Sequence, residues 1–451
     1  MSQKFRKILY LTFVLLFFII TPIVVGYAAG YKLSFSPTRP LQFQKTGMLI
    51  LDTSPTGAKI YINDKIQQSI TNKYLSATGL FSNTNVITTP TKLRNLLPGE
   101  YDVRMEKDGY WSWGKKLTVK SGESTFAEDV FLFKNDAPLK IYDKPTKIFS
   151  SPNNNYLAFP SGNKLGILKI KNDEIKYFNT EKEIKSLAWS GDSLKILTDE
   201  EIFFLENLEK IKINIPSSTP KNLKWSPDDN SLLFFQKDNT ILSYNILTEE
   251  SKNIISQNNI LDYYITENSY YLVTNEPTGV KLFIYSSSKE LLASIGLNKS
   301  NRFSFVDNPS DLIGIHDLEN SRLYLINQNN FQPKDVIEGV KNISWIDKKS
   351  LIYSTDYEIW IDDLENGEKS LVTRISQPIK DVFWHTSNNY IIYASEKGLY
   401  AIELDKREKR TFSELLRTDS LENSFLNKKG DTLYFAAKFN NDDGLYKLLL
   451  H

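Results

Sequence analysis

A repeat with a period close to 40 residues fills the chain from residue 138 to residue 451, and it constrains the fold more than any other feature. In its four clearest copies a lysine is followed two residues later by an apolar residue and after two more by a tryptophan. These tryptophans are Trp189, Trp225, Trp345 and Trp384. Four looser copies have Ser150, Tyr264, Phe305 and Phe425 at the same point, so successive anchors lie 36 to 41 residues apart.

Such a period, made of short strands, is typical of the four-stranded blades of a β-propeller. A lone blade exposes two apolar faces, so each must pack against a neighbour, and large rings suit the wedge between blades. We therefore expect the tryptophans to pack between blades. The stretch Pro138-LKIYD precedes the first anchor, whereas the last copy lacks an outer strand, so the first strand should complete the last blade. Eight anchors predict eight blades, and the weak copies at Ser150 and Phe305 leave seven as the alternative.

The repeat at 138–451 resembles the propellers of TolB-like and WD-type proteins, in which a Trp-Ser-Pro-Asp turn recurs. Here the turn is best preserved as Trp225-Ser226-Pro227-Asp228. This resemblance implies a fold and does not imply an activity.

The N-terminal segment predicts a membrane span. Residues 8–29 are a run of 22 without a charged side chain, long enough as a helix to cross a hydrocarbon core of about 30 Å. Lys4, Arg6 and Lys7 precede the run, which favours a cytoplasmic N-terminus and an extracytoplasmic bulk. Residues 1–30 are thus predicted to form a cytoplasmic tip and a signal-anchor helix in the cell membrane. A cleaved signal peptide is the alternative, because Gly26-Tyr27-Ala28 has small residues at the two inspected positions.

A small β-domain is predicted at 47–134, after a linker at 31–46 that contains two prolines. Apolar and polar residues alternate around turn signals, as expected for β-hairpins. The motif residues are Pro55-Thr56-Gly57-Ala58, Leu97-Pro98-Gly99-Glu100-Tyr101 and Lys107-Asp108-Gly109-Tyr110. With these motifs the segment resembles a PEGA domain, a small β-sandwich of exported and surface proteins. An insertion at 66–88 replaces a short connection of that family and is expected to be disordered or a passive flap.

Composition excludes several classes of function. Among 451 residues there are 55 Lys+Arg, 54 Asp+Glu, three His and no Cys, so a broad nucleic-acid footprint, disulfides and thiolate metal sites are not expected. No Gly-x-Ser-x-Gly elbow, phosphate-binding glycine loop, His-Glu-x-x-His motif or quinoprotein Gly-Lys-x-x-Trp repeat occurs, and no cofactor is expected. The acidic stretch 440–444 lacks calcium-loop spacing and predicts a hairpin turn.

Two groups of residues are candidate partner contacts. Tyr110, Trp111 and Trp113 lie beside a turn and could contact a partner or the propeller, or simply close the edge of the sandwich. The second group precedes each blade tryptophan by four residues and consists of Lys185, Lys221, Lys341 and Lys380. Equivalent blades should place these lysines near one rim of the central channel, where they could attract an anion or remain solvated strand ends.

The sequence thus predicts an all-β protein with one N-terminal helix, a PEGA-like sandwich and a propeller. We expect a non-enzymatic scaffold that presents the propeller to an envelope protein or glycan. The rival is a propeller enzyme acting on glycans, which two buried, unpaired carboxyl groups in the channel would favour. The sequence leaves the oligomeric state open.

Overall fold

A computed structural model describes residues 3–451 of the chain, apart from 37–38, 69–85, 144–146, 191–192, 199–201, 207–208, 214–219, 227–228, 230, 307–308 and 441. Within these residues the chain has one helix and 41 strands. The fold is therefore all-β apart from its N-terminus, as the sequence predicts.

The N-terminal helix continues directly into a β-hairpin. Helix α1 (Gln3–Ala28) is long and apolar enough to cross a membrane, a test that a signal sequence also passes. Strands β1 (Tyr31–Ser36) and β2 (Arg39–Lys45) pair antiparallel where the sequence indicated only a linker. The Thr46 backbone N–H and hydroxyl both donate to the Gly30 carbonyl at 2.7 Å. The end of the helix is thus hydrogen-bonded to the start of the next domain.

Two sheets enclose the core of the second domain. Its strands are β3 (Gly47–Ser54), β4 (Lys59–Ile62), β5 (Lys65–Ile66), β6 (Thr91–Leu96), β7 (Gly99–Glu106), β8 (Trp113–Val119) and β9 (Ser124–Phe131). One sheet has the order β6-β3-β9 and the other β5-β4-β7-β8. Leu49, Ile60 and Met105 are completely buried between them, because alternate residues of each strand face inward. The domain is a β-sandwich, and most of the insertion at 66–88 lies outside the described residues.

Eight four-stranded antiparallel sheets follow, which we number blades 1 to 8. Blade 1 consists of β11 (Phe149–Ser150), β12 (Tyr156–Ser161), β13 (Lys164–Lys169) and β14 (Glu174–Asn179). Blade 2 consists of β15 (Ser186–Ser190), β16 (Ser193–Leu197), β17 (Ile202–Glu206) and β18 (Glu209–Ile213). Blade 3 consists of β19 (Lys221–Trp225), β20 (Leu232–Lys237), β21 (Thr240–Asn245) and β22 (Ser251–Ser256).

Blades 4 to 6 have the same four-stranded arrangement. Blade 4 consists of β23 (Ile260–Ile265), β24 (Ser269–Glu276), β25 (Gly279–Ser286) and β26 (Leu291–Gly296). Blade 5 consists of β27 (Phe303–Val306), β28 (Leu312–Asp317), β29 (Arg322–Asn327) and β30 (Pro333–Glu338). Blade 6 consists of β31 (Asn342–Trp345), β32 (Ser350–Ser354), β33 (Glu358–Asp363) and β34 (Glu368–Arg374).

Blades 7 and 8 complete the set. Blade 7 consists of β35 (Ile379–Trp384), β36 (Tyr390–Ser395), β37 (Gly398–Glu403) and β38 (Phe412–Arg417). Blade 8 consists of β39 (Ser420–Leu426), β40 (Thr432–Phe439) and β41 (Asp442–Leu449), with β10 (Leu139–Asp143) as its fourth strand. The first strands contact one another in four pairs of neighbouring blades, β11 with β15, β23 with β27, β31 with β35 and β35 with β39, so the first strands are the innermost ones.

The blades form a closed ring of apolar contacts. A buried cluster lies between each blade and the next, including one between blade 8 and blade 1. The four blade tryptophans each pack against the cluster shared with the preceding blade, which confirms the prediction that they fill the gaps between blades. The described residues of this region form eight such sheets, and the number of blades, eight with seven as the alternative, stays a prediction.

The strand before the first repeat closes the ring. Strand β10 pairs antiparallel with β41, so the first strand completes the last blade as predicted. The Tyr142 ring of β10 also lies 4.9 Å from the Phe159 ring of blade 1, measured between centroids. One strand thus belongs to the sheet of blade 8 and packs on blade 1.

Replacing Leu139–Asp143 with Gly-Ser-Gly-Ser-Gly should therefore destabilise the propeller more than replacing an ordinary outer strand. We expect the midpoint of thermal unfolding to fall by about 5 °C or more, because the two ends of the ring lose their shared sheet and β41 becomes a free edge. The matched control places the same linker at residues 291–295 of β26. Equal losses of stability in the two variants, measured by calorimetry, would show that β10 is no more than an outer strand.

Candidate functional site

The sandwich is attached to the propeller through a buried ion cluster. Lys115 of β8 has a side chain only 1% exposed, and its Nζ lies 3.0 Å from Oε2 of Glu403 and 3.0 Å from Oδ2 of Asp405. Trp113 Nε1 donates to Oε1 of Glu403 at 3.2 Å. Because buried charges are tolerated only when they are paired, this cluster fixes the sandwich in one position on blade 7.

Aromatic rings extend this contact, which we call the joint. The Phe131 ring lies 4.6 Å from the His385 ring, and the Phe133 ring lies 5.3 Å from the Tyr390 ring, measured between centroids. Burial lowers the pKa of His385, which favours its neutral form against these rings. The backbone N–H of Lys134 donates to the carbonyl of Leu450 at 2.9 Å. The joint therefore combines an apolar contact with blades 7 and 8 and the ion cluster that Lys115 forms with blade 7.

The three aromatic candidates lie at this joint. Trp113 is 3% exposed and belongs to the sandwich core, while Tyr110 packs against that core from its edge. Trp111 packs against the cluster between blades 7 and 8, and its backbone N–H donates to the Phe133 carbonyl at 2.8 Å. Trp113 thus donates a hydrogen bond to the propeller, Trp111 packs against it, and Tyr110 packs against the sandwich core. A contact of these residues with a partner stays a prediction.

The joint defines two faces of the propeller. The sandwich contacts the turns that join the first and second strands and the third and fourth strands of blade 7, at His385 and at Asp405. We call this side the joint face. The opposite side, formed by the turns between second and third strands and by the connections between blades, is the distal face. Chain direction places the start of every innermost strand at the distal face.

The four candidate lysines lie at that end of their strands. Lys221 begins β19, Lys380 is the second residue of β35, and Lys185 and Lys341 immediately precede β15 and β31. The structure adds Lys147 and Arg302, which stand at the same ends of blades 1 and 5 and are exposed. We call these six residues the basic mouth. Sequence spacing missed two of them because their anchors are not tryptophans and lie three residues away instead of four.

Two carboxylates of the described residues act on cations of the basic mouth. Asp356 lies 3.8 Å from Lys341, and Lys147 and Lys380 both act on the carboxyl of Asp381. Blade 8 places Glu422 in the corresponding region and blade 4 places Leu261 there. The mouth therefore carries a cation from six of the eight blades, and its charge is not symmetric.

Carboxylates of the innermost strands serve to join blades. Asp262 of blade 4 pairs with Lys224 Nζ at 2.6 Å and accepts from the Phe305 N–H of blade 5 at 3.2 Å. Asp381 of blade 7 accepts from the Ser424 N–H at 2.6 Å. Burial raises the pKa of Asp381 to about 6, against the hydrogen bonds from Ser424 that lower it. Among the described innermost strands, neither buried carboxyl is unpaired, so the geometry required by the enzyme alternative is not seen there.

The described residues also contain no group of three or more His, Asp or Glu side chains that could hold a metal ion. The acidic stretch 440–444 lies at the hairpin between β40 and β41, with residue 441 outside the description, and its Asp442 pairs with Lys140 at 2.5 Å. These carboxylates take part in strand pairing and in ring closure.

Comparison with known proteins supports the fold alone. No family model matches the sequence, and no curated protein matches it, so the resemblance to PEGA domains and to TolB-like propellers rests on the motif residues. A crystal structure titled as the eukaryotic initiation factor is 14% identical, covers 70% of this chain and 88% of its own, and superposes with a TM-score of 0.50.

Two WD40 domains were also found among solved structures. The C-terminal WD40 domain of Sif2 is 14% identical over 70% of this chain and 98% of its own, with a TM-score of 0.48. The Pan2 WD40 domain of Neurospora crassa is 9% identical over 68% of this chain and 89% of its own, with a TM-score of 0.40. At such identities a likeness shows fold and not function. The chain therefore contains a β-propeller, and the comparisons assign it no family and no function.

Replacing Lys115 with Ala should loosen the joint. Removing one partner of a buried ion pair costs about 3–5 kcal/mol, because Glu403 would be left buried without its cation. We expect faster hydrogen exchange in β8 and β37 of the full-length chain in detergent. The matched control is Lys116→Ala, whose side chain is 48% exposed and lies 3.6 Å from Glu100. Unchanged exchange in Lys115→Ala would show that the apolar contacts alone hold the joint.

A buried lysine of blade 2 predicts a pH dependence of stability. Burial, with a smaller effect of the Lys224 ammonium, lowers the pKa of Lys195 from 10.5 to about 7. Between these values the unfolded chain holds a proton that the folded chain lacks, so the free energy of unfolding rises with pH across that window.

Lys195→Met should remove this rise, and Lys164→Met, which changes an exposed lysine of blade 1, should keep it. Denaturant unfolding at pH 7 and pH 9.5 measures the difference. The same slope in Lys195→Met and in the unchanged chain would mean that Lys195 is ionised in the folded state.

Proposed function

We propose that this chain is a non-enzymatic, membrane-anchored scaffold of the cell envelope that presents the distal face of its propeller to an envelope protein or glycan. The observation that carries the proposal is the division of the propeller into two faces. The joint face is partly covered by the sandwich, which is bound there through Lys115 and Glu403. The distal face carries the basic mouth, and the contacts of the sandwich that are described above lie on the joint face.

The connection from helix to propeller supports a fixed presentation. Thr46 ties the end of α1 to the start of β3, and the Leu132 N–H donates to the Ser54 carbonyl at the other end of β3. Strand β3 has eight residues, so it spans roughly 25 Å between the two ends. With α1 as a single-pass anchor whose N-terminus is cytoplasmic, the distal face would point away from the membrane.

The chemistry of the basic mouth supports an acidic partner. Cations gathered at one opening raise the local concentration of anionic ligands and speed their association, an effect that salt weakens. WD40-type propellers offer rigid surfaces that suit binding, and the carboxylates Asp262 and Asp381 of the innermost strands are occupied in joining blades. A scaffold therefore accounts for more of the structure than an enzyme does.

Co-sedimentation of residues 32–451 with native cell envelopes tests the proposal. We expect binding at low ionic strength that falls about tenfold or more when Lys185, Lys221, Lys341 and Lys380 are all replaced by Gln. The control replaces four exposed lysines outside the mouth, Lys176, Lys252, Lys289 and Lys334, and should bind normally. Envelopes treated with protease distinguish a protein partner, whose binding is lost, from a glycan. Absence of binding, or equal loss in both variants, would reject the proposal.

A further inference from the structure

A cavity lies on the joint face, at the seam between blades 8 and 1. Its volume is about 490 Å³, which falls in the usual range of small-ligand sites. It is lined by turns of both blades, and the side chains that matter most are Asn153, Asn154, Lys171, Lys428, Lys429 and Tyr434. We call it the seam cavity. It is separate from the basic mouth, which lies on the opposite face.

The seam cavity has an excess of cations. Its lining contains four lysines and two aspartates. Asp173 is already paired with Lys447, and its Oδ1 lies 3.4 Å from the Tyr434 hydroxyl. Asp431 accepts from Asn427 Nδ2 at 2.6 Å and from the Thr432 hydroxyl at 2.9 Å. Both carboxylates are therefore occupied by groups of the protein.

The three other lysines of the cavity are exposed. Lys171, Lys428 and Lys429 have no ion pair in the described part of the chain, and each has its side chain in solvent. Counted as formal charges, four lysines against two aspartates leave an excess of two positive charges in the lining, which a bound anion would neutralise. The seam cavity thus favours an acidic ligand.

The same turn in blade 6 shows what a compensated pair of lysines looks like. Lys348 and Lys349 occupy the positions of Lys428 and Lys429, three and four residues after the anchor. Lys349 Nζ lies 2.7 Å from Oε1 of Glu365, an acidic residue of the neighbouring turn. In blade 8 no turn joins the third and fourth strands, because β41 ends at Leu449 and the fourth strand, β10, begins at Leu139. Among the described residues no carboxylate pairs with Lys428 or Lys429 there.

The turn that carries the lysines of blade 8 is held firmly. Asn427 Oδ1 accepts from the backbone N–H groups of Asp431 and Thr432 at 3.1 and 3.2 Å. Gly430 has a positive φ of 74°, and a Cβ there would lie 2.4 Å from the Thr386 hydroxyl. The backbone of Lys429 accepts from that hydroxyl at 2.9 Å. The two lysines are therefore presented from a fixed backbone.

The rest of the lining fits a sugar. The amide groups of Asn153 and Asn154 both donate and accept, as hydroxyl groups require. Ile170 and Leu449 add apolar surface on which a sugar ring can rest. Strand β3 spans roughly 25 Å between the end of α1 and the joint, which favours a ligand outside the lipid headgroups.

We propose that the seam cavity binds an acidic saccharide, with Lys171, Lys428 and Lys429 contacting its carboxylate or phosphate groups and the asparagines contacting its hydroxyls. This site does not depend on the distal face. It gives the protein a second point of contact with the envelope, on the side that faces the membrane.

Isothermal titration of the full-length chain, held in nanodiscs of uncharged lipid, tests this site with trigalacturonic acid as the probe. We expect binding that is weakened at least tenfold in Lys428→Gln, Lys429→Gln and unchanged in the matched control Lys348→Gln, Lys349→Gln. Maltotriose, which has the same length and no charge, should bind at least tenfold more weakly than the acidic probe.

Three results would overturn the proposal. They are absence of trigalacturonate binding, equal weakening in both double variants, and binding of a hexaglutamate peptide as tight as that of the saccharide. The four-lysine variant of the basic mouth should bind trigalacturonate normally, so failure at the distal face leaves this site intact. Thermal unfolding midpoints within about 2 °C of one another confirm that the variants are folded.

Discussion

Packing between blades is the interaction on which the whole structure depends. Each blade is a sheet with two apolar faces, and neither face is covered by the blade itself. A chain of such sheets is stable only when it returns to its start, because an open array would leave one apolar face and one sheet edge exposed at each end. Strand β10 removes both ends together: it pairs with β41 and packs on Phe159.

The innermost strands pose a further problem, since backbone groups that face the channel have no neighbouring strand. Side chains from adjacent blades supply the missing partners. Lys195 donates to the Leu223 carbonyl at 2.5 Å, and Asn423 Nδ2 donates to the Ile148 carbonyl at 2.9 Å. Asp381 accepts from Ser424 in the same way. The buried charges near the channel are thus explained by the need to satisfy the backbone, which is the reason that they are not evidence for catalysis.

Sequence reasoning reached the propeller because its signals repeat. The tryptophans recur at a fixed register, so errors at single copies did not matter, and the unpaired first strand indicated closure. Contacts that occur once carry no such signal. Lys115 and Glu403 are 288 residues apart, and nothing in either local sequence indicates that they meet. Lys147 and Arg302 were not predicted for a related reason. They lie near the other cations when the blades are superposed, but their blades have no anchor tryptophan from which their positions could be counted.

The ionic joint also explains how one chain can keep two faces distinct. An apolar contact between sandwich and propeller would tolerate rotation, since hydrophobic packing has little directional preference. Lys115 instead pairs with Glu403 and Asp405 together. Burial raises the pKa of Asp405, but the hydrogen bonds from Arg407 and Lys115 outweigh it and hold this pKa at about 2. Asp405 therefore stays charged at neutral pH, and only one orientation of the sandwich brings Lys115 to both Asp405 and Glu403. A fixed orientation keeps the same side of the propeller, the joint face, next to the sandwich at all times.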